Sequence, residues 1–411
     1  MAAFHFTQDR ERRCFLSDGK PFFYLADTCW LAFSNCSESD FDAYLSYREA
    51  QGFNVVQISV LPLERRPGAL LPFAVEDRHF VYDRPNEAYF EKANRLLDLA
   101  VRHGIYPCLH LFWNSFVPDD WGSIQPVPDE RVADVAAFLL RQFRDRTPFW
   151  SVSGDTRFET ERLVRFYRTT LDVMQKEIPD AQVTFHLNPP YFPPKELLDH
   201  PMYNFHSYQS GHEDGVFLTW IPGLSGDFLR LHANRPLLNN EMCYERIGRY
   251  KNREQPFTPR DVRQAIWLSL LSGASAGFAY GAHGIWQARQ PGGPMTGEET
   301  WGPSGTMMEA LRYPGAEEAA FAKSVFERED LFGLEPLDTE FSESEGDGTP
   351  RRGADLVRVR ARAGRRAVTF WARPAGTVPA GVRAYDLERK HLLPEGSRIV
   401  RDVLTVASED L

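Results

Sequence analysis

The feature that most constrains this chain is an alternation carried for some 300 residues between short apolar, β-rich runs and segments of helical period. The runs are FFYLAD (22–27), NVVQISVL (54–61), IYPCLHLF (105–112), PFWSVSGD (148–155), QVTFHLN (182–188), YNFHSYQ (203–209), PLLNNE (236–241) and AGFAYGA (276–282). Helical segments follow them at 38–51, 87–103, 130–144, 159–177, 195–198, 218–232, 259–272 and 307–329. Such order is that of parallel strands joined by crossover helices. Ser37 and Thr258 stand as N-caps, with Pro259 at a first helical position, and Gly52 and Gly104 supply left-handed stops.

Loop lengths separate the two folds that fit this order. Joins from helix to next strand are short, whereas those from strand to helix at 62–86, 113–129, 242–257 and 283–306 are long. In a (β/α)8 barrel all strand-to-helix loops emerge on one face, where active sites are built. A doubly wound open sheet is the alternative, but no G-x-G-x-x-G or G-x-x-x-x-G-K follows any strand. The expected fold is therefore a (β/α)8 TIM barrel over 1–330. Past Leu331, SESEGDGTPRRG (342–353) is turn or linker material, and DLVRVRARA and RAVTFWARP alternate with period two. A small C-terminal antiparallel β domain, sandwich-like, is expected at 331–411.

Charge and cysteine content narrow the partners. The net charge of -10 comes with no concentrated basic run, which gives no footprint for nucleic acid or an anionic membrane. Five cysteines without C-x-x-C spacing argue against a disulfide framework or zinc knuckle. The N-terminus lacks the apolar core of a signal peptide, so the chain reads as cytoplasmic unless a leader has been removed.

On a barrel, the strand ends bring their polar residues to one face. In order these are Asp27, Gln57, His110 with Trp113, Asp155, His186 with Asn188, His206 with Gln209 and His212, Glu241 with Tyr244 and Glu245, then Tyr280 and His283, with Trp286 in the last loop. Carboxylates, imidazoles, amides and aromatic rings suit a carbohydrate: rings stack on sugar C–H faces, amides and imidazoles bond hydroxyls, and two carboxyl groups cleave the acetal. Asp155 and Glu241, from the fourth and seventh strands, are the candidate acid/base and nucleophile. Asp155 also fits a cap for the helix near Glu159, and Glu241 a buried acid paired to Arg235 or His206.

Asp27 is either a hydroxyl binder or a structural acceptor, and Glu245 either a hydroxyl binder or a loop ion pair with Arg246 or Arg249. His206 and His212 are expected on sugar hydroxyls and Trp286 on a sugar face. His186 reads as a satisfied core histidine or as one that supports the site residues from behind. Two rivals remain: a metal-dependent hydrolase using His110, His186, His206, His212 and His283, although no His-x-His or His-Glu-x-x-His is present, and a barrel that binds carbohydrate without cutting it.

The runs PFFYLADTCWLAF, YLSYREAQGFNVVQ, PNEAYFEKANRLLDLAVRHGIY, SVSGD, YQSGH, NNEMCYE and IWLSLLSGASAGFAYGAHGIW, taken together, resemble the apiosidase-like glycoside hydrolases across 19–329. The resemblance implies a barrel, no required cofactor, an acid/base at Asp155 and a nucleophile at Glu241. The family's usual Gly-Gly-Asp and Gly-Glu-Pro-x-Tyr-Glu are altered here by Ser153, Asn240 and Met242.

Overall fold

A computed structural model describes the chain apart from residues 1–3, 64–69, 214–215, 251, 294–297, 347–349, 373–375 and 409–411. Parts of the long loops at 62–86, 242–257 and 283–306, and of the segment 342–353, thus lie outside the described residues.

Each expected strand forms: Tyr24–Thr28, Val55–Ser59, Tyr106–Trp113, Phe149–Gly154, Gln182–Thr184, His206–Gln209, Leu237–Glu241 and Gly277–Tyr280. They make one 8-stranded parallel sheet in which sequential strands are neighbours and the eighth pairs with the first. The remaining seam, between fifth and sixth, is drawn together by the Asn204 and Phe205 amides, which donate to the Val183 carbonyl at 3.1 and 3.4 Å. The result is the (β/α)8 barrel.

Helices Glu38–Ala50, Glu87–Arg102, Val132–Phe143, Glu161–Glu177, Lys195–Leu198, Phe217–Leu231 and Pro259–Leu271 follow the first seven strands. Ser37 and Thr258 cap as the sequence suggests. The segment at 307–329 is broken into Met307–Ala310 and Gly315–Arg328. Pro314 explains the break, since it lacks an N–H and disfavours helical backbone in the residue before it.

One element goes beyond the sequence reading. Strands Phe6–Asp9, Cys14–Ser17 and Lys20–Phe22 form an antiparallel sheet. Its Phe6, Phe15 and Phe22 pack edge-on against Tyr106, Phe149 and Phe205, which begin or precede barrel strands. Aromatic packing therefore closes the strand-start end, leaving the strand-finish end for chemistry.

The C-terminal strands Glu335–Phe341, Leu356–Ala363, Arg366–Trp371, Arg383–Asp386, His391–Leu393 and Val403–Ser408 form one 6-stranded antiparallel sheet. It is not a sandwich: its apolar face lies on barrel helix Pro259–Leu271, which supplies the cover a second sheet would give. Leu356, Val359, Phe370 and Leu404 share a continuous core with Leu268 and Phe326. Arg263 crosses the junction, donating to Glu318 at 2.8 Å and to Asp402 at 3.0 Å. The segment 342–353 joins the first two strands of this sheet instead of linking two domains. Among the described residues no helix is long and apolar enough to cross a membrane.

Candidate active site

The fourth and seventh strands deliver Asp155 and Glu241 to a common point occupied by a third group, the His186 imidazole from just beyond the fifth strand. His186 Nε2 lies 3.2 Å from Glu241 Oε2 and 3.5 Å from Asp155 Oδ1. Those two oxygens can be no farther apart than these contacts laid end to end. That bound includes the roughly 5–5.5 Å carboxyl spacing of retaining glycosidases and reaches only the lower edge of the roughly 6.5–9.5 Å range of inverting ones.

Glu241 ends its strand with only 8% of its side chain exposed. Burial would raise its carboxyl, but hydrogen bonds from His186 and His212, with their charge, outweigh it and hold the group at about 2. His212 Nε2 approaches the other oxygen to 3.3 Å. Tyr244 lies against His212, with ring centroids 4.7 Å apart, and its hydroxyl accepts from Trp30 Nε1 at 2.8 Å. Burial and the Glu241 charge keep that phenol well above its ordinary value, hence neutral. Gly281 allows this packing, because a Cβ there would meet the Tyr244 ring at 2.0 Å. Trp286, half-buried, faces Tyr244 at 6.5 Å, and Trp301 meets His212 at 5.1 Å.

Asp155 takes φ 54°, a left-handed conformation that Asp accepts more readily than most residues and that costs on the order of 1–3 kcal/mol. The turn keeps its carboxylate beside the end of the sixth strand, where Gln209 Nε2 donates to Oδ1 at 2.5 Å. Asp155 is 25% exposed, open to a substrate in a way Glu241 is not. It does not cap the following helix, since Thr160 does so by accepting from the Leu163 amide. Gly154 has its own reason: a Cβ would stand 2.1 Å from the Trp113 ring, which packs over it and over His186. Trp121, 51% exposed, donates its indole N–H to the Asp155 carbonyl at 2.7 Å. The Arg157 guanidinium lies 4.5 Å over the Trp121 ring and its Nε donates to Asn188 Oδ1 at 3.2 Å.

Several residues expected at the cleft are engaged elsewhere. Asp27 is enclosed and accepts from Arg48 Nε at 2.6 Å, so it is a structural acceptor and no sugar hydroxyl reaches it. Glu245, also enclosed, accepts from Tyr280 Oη at 2.7 Å and from the Gly315 amide at 2.8 Å, fastening helix Gly315–Arg328. It is neither a solvated loop pair nor a hydroxyl ligand, and Tyr280 is turned away with it. His206 packs outward on Phe228 and pairs with Tyr203 Oη at 2.7 Å; burial first, then Arg235, holds it near 3. Strand alternation is the cause, since Ser207 and Gln209 take the inner positions. His283 uses one nitrogen on the Gly302 carbonyl and the other on Trp286 Nε1, anchoring the last loop. His110 lies beneath the site, its ring 5.1 Å from His186 and 4.5 Å from Trp30. Asp155, Glu241, Gln209, His212, Tyr244, Trp113 and Trp286 are the candidates that come together.

Sequence reasoning missed the place of His186, and Trp121 and Arg157 altogether. For His186 a signal existed. Ser153 Oγ donates to the His186 carbonyl at 2.9 Å, and Asn240 Nδ2 lies 3.0 Å from Nδ1. Two of the three departures from the family motifs thus converge on this one residue. Among the described residues no three His, Cys, Asp or Glu side chains form a group that could hold a metal ion.

Solved structures share this architecture. One described as a glycoside hydrolase matches with TM-score 0.77 and 16% identity over 99% of this chain and 97% of its own. A glycoside hydrolase family 5 structure from Bacteroides vulgatus ATCC 8482 matches with TM-score 0.78 and 17% identity over 99% and 94%. An exo-β-1,4-mannosidase from Opitutaceae bacterium strain TAV5 matches with TM-score 0.53 and 15% identity over 78% and 63%. Among curated proteins no sequence match is found. What these structures share with this chain is the fold, a (β/α)8 barrel. More narrowly, residues 9–333 match the apiosidase-like catalytic domain, and the chain belongs to that family.

Proposed function

We propose that the chain hydrolyses a glycosidic bond of a plant or bacterial oligosaccharide or glycoside by double displacement, with Asp155 as general acid/base and Glu241 as nucleophile. The observation that carries this reading is the convergence of both carboxylates on the His186 imidazole, 3.2 and 3.5 Å from it. Glu241, charged and held on both oxygens by imidazoles, suits attack on an anomeric carbon. Asp155, more open and beside Trp121, suits contact with the departing oxygen. Trp286 and Trp113 offer ring faces, and His212, Gln209 and Tyr244 offer polar contacts to hydroxyls. Asn188 acts through Arg157 at the edge of the site. Five free, buried cysteines fit a reducing compartment such as the cytoplasm.

The test is a screen of aryl glycosides and oligosaccharides, run with and without chelator. Chelator-insensitive release of sugar, with retained anomeric configuration by NMR, is expected. Chelator-sensitive cleavage of an ester or amide instead would support the metal reading, and saturable binding without turnover would support a binding-only barrel.

A further inference from the structure

We infer that the proton the leaving group receives is stored on His186 between turnovers and passes to Asp155 as Glu241 is consumed, an assignment that rests on the two-carboxylate reading above. In the simplest two-carboxylate site, repulsion between the carboxylates keeps a proton on the acid. Here an enclosed imidazole stands between them, so the shared proton has a third place to reside.

The groups facing His186 favour that place. Asp155 and Glu241 present oxygens to Nε2 from the fourth and seventh strands. Trp30 and Trp113 contribute uncharged rings, and His110 beneath is pushed well below its ordinary value by burial and by His186 itself, hence neutral. A charged imidazole needs an acceptor at each nitrogen. At Nδ1 that acceptor is Asn240, whose Oδ1 has no partner while Nδ2 faces the ring; turning the amide over presents Oδ1 to Nδ1–H. Gln209 Nε2 donates to the Asp155 carboxylate at 2.5 Å and stands 3.3 Å from His186 Nε2; turned over, its Oε1 accepts from either protonated partner. Burial disfavours the imidazolium, but hydrogen bonds to Asp155 and Glu241 and the two negative charges prevail and raise it to about 9.

The cycle balances. A Glu241 oxygen forms its bond to the anomeric carbon as the bond from that carbon to the glycosidic oxygen breaks, so negative charge leaves Glu241. His186, losing that charge beside it, passes Nε2–H to Asp155, which passes a proton to the departing oxygen. In the second half water attacks the anomeric carbon, the ester bond to Glu241 breaks, and Asp155 takes the water proton. The restored Glu241 charge then draws that proton back to His186.

Histidine 15N NMR at pH 7 reads the store directly. The wild type should show His186 doubly protonated, and Glu241→Gln should show it neutral; a neutral ring in the wild type, or no change in the variant, overturns the inference. For His186→Asn, confirmed folded by its melting transition, the alkaline limb of kcat/KM should move at least about one pH unit toward acid. Turnover of phenyl glycosides should fall about 100-fold, with dinitrophenyl glycosides, which need no proton, falling less than about 10-fold. Equal losses on both with an unmoved limb would show a structural role only. A wild type inert on every glycoside would overturn the Asp155 and Glu241 reading, while the NMR titration would still decide where the proton rests.

Discussion

Replacing Arg48 by methionine would leave Asp27 without a counter-charge in the interior, and the cost follows from the ion pair it breaks. Both side chains are 1% exposed and joined at 2.6 Å. The second Asp27 oxygen accepts from the Thr28 amide at 2.8 Å, and Arg48 Nη1 donates to Gln51 at 2.6 Å. Breaking such a pair from one side costs about 3–5 kcal/mol, because the remaining charge is left without water or an opposite charge. Replacing both, as Asp27→Leu with Arg48→Met, should recover most of that loss. Burial raises the Asp27 carboxyl, so without Arg48 the folded chain binds this proton more tightly than the unfolded one. The deficit of Arg48→Met should therefore shrink as pH is lowered from 7 to 5. Urea unfolding at both pH values measures it. A single variant within about 1 kcal/mol of wild type would refute the buried-pair account. Loss of turnover per folded molecule in the double variant would return Asp27 to the substrate.

The other expectations concern the site. Glu241→Gln should lower turnover by about 10⁴-fold or more while leaving the chain folded, since a neutral amide cannot attack the anomeric carbon; steady-state kinetics on an aryl glycoside checks it. Gly154→Ala should displace Trp113 from above His186 and cost about 100-fold in kcat, the effect expected of a misplacement near 1 Å. His186 is raised in the folded state to about 9, so its stabilising contribution is complete below the unfolded value near 6.5 and fades as pH climbs through 9. Denaturation from pH 6 to 10 should show that loss in wild type and not in His186→Asn.

Much of this is legible in the sequence, and the gaps have definite causes. Continuous apolar, β-rich runs alternating with helical patterns locate every barrel strand, because parallel strands are buried on both faces, and Asp155 and Glu241 are picked out by standing at strand ends. Position at a strand end does not say which way a side chain points. It suggests the cleft for His206, yet His206 alternates with Ser207 and Gln209 and faces helix Phe217–Leu231. Asp27 and Glu245 are ambiguous in the sequence because their partners, Arg48 and the Gly315 amide, are remote along it. The N-terminal sheet escapes because its strands are only 3 or 4 residues long and its aromatic side chains find most of their partners across the barrel floor. His186 looks like a core histidine, and it is buried like one; its meeting with both carboxylates exists only once the fourth, fifth and seventh strands are assembled.

Trapping the nucleophile tests the central claim most directly. Asp155→Ala, incubated with the dinitrophenyl glycoside that the wild type turns over, lacks the base for the second step and should accumulate a glycosyl-enzyme. Intact-mass spectrometry should show one added glycosyl unit, and peptide mapping should place it on Glu241. Turnover with no adduct, or an adduct on any other residue, would contradict the account.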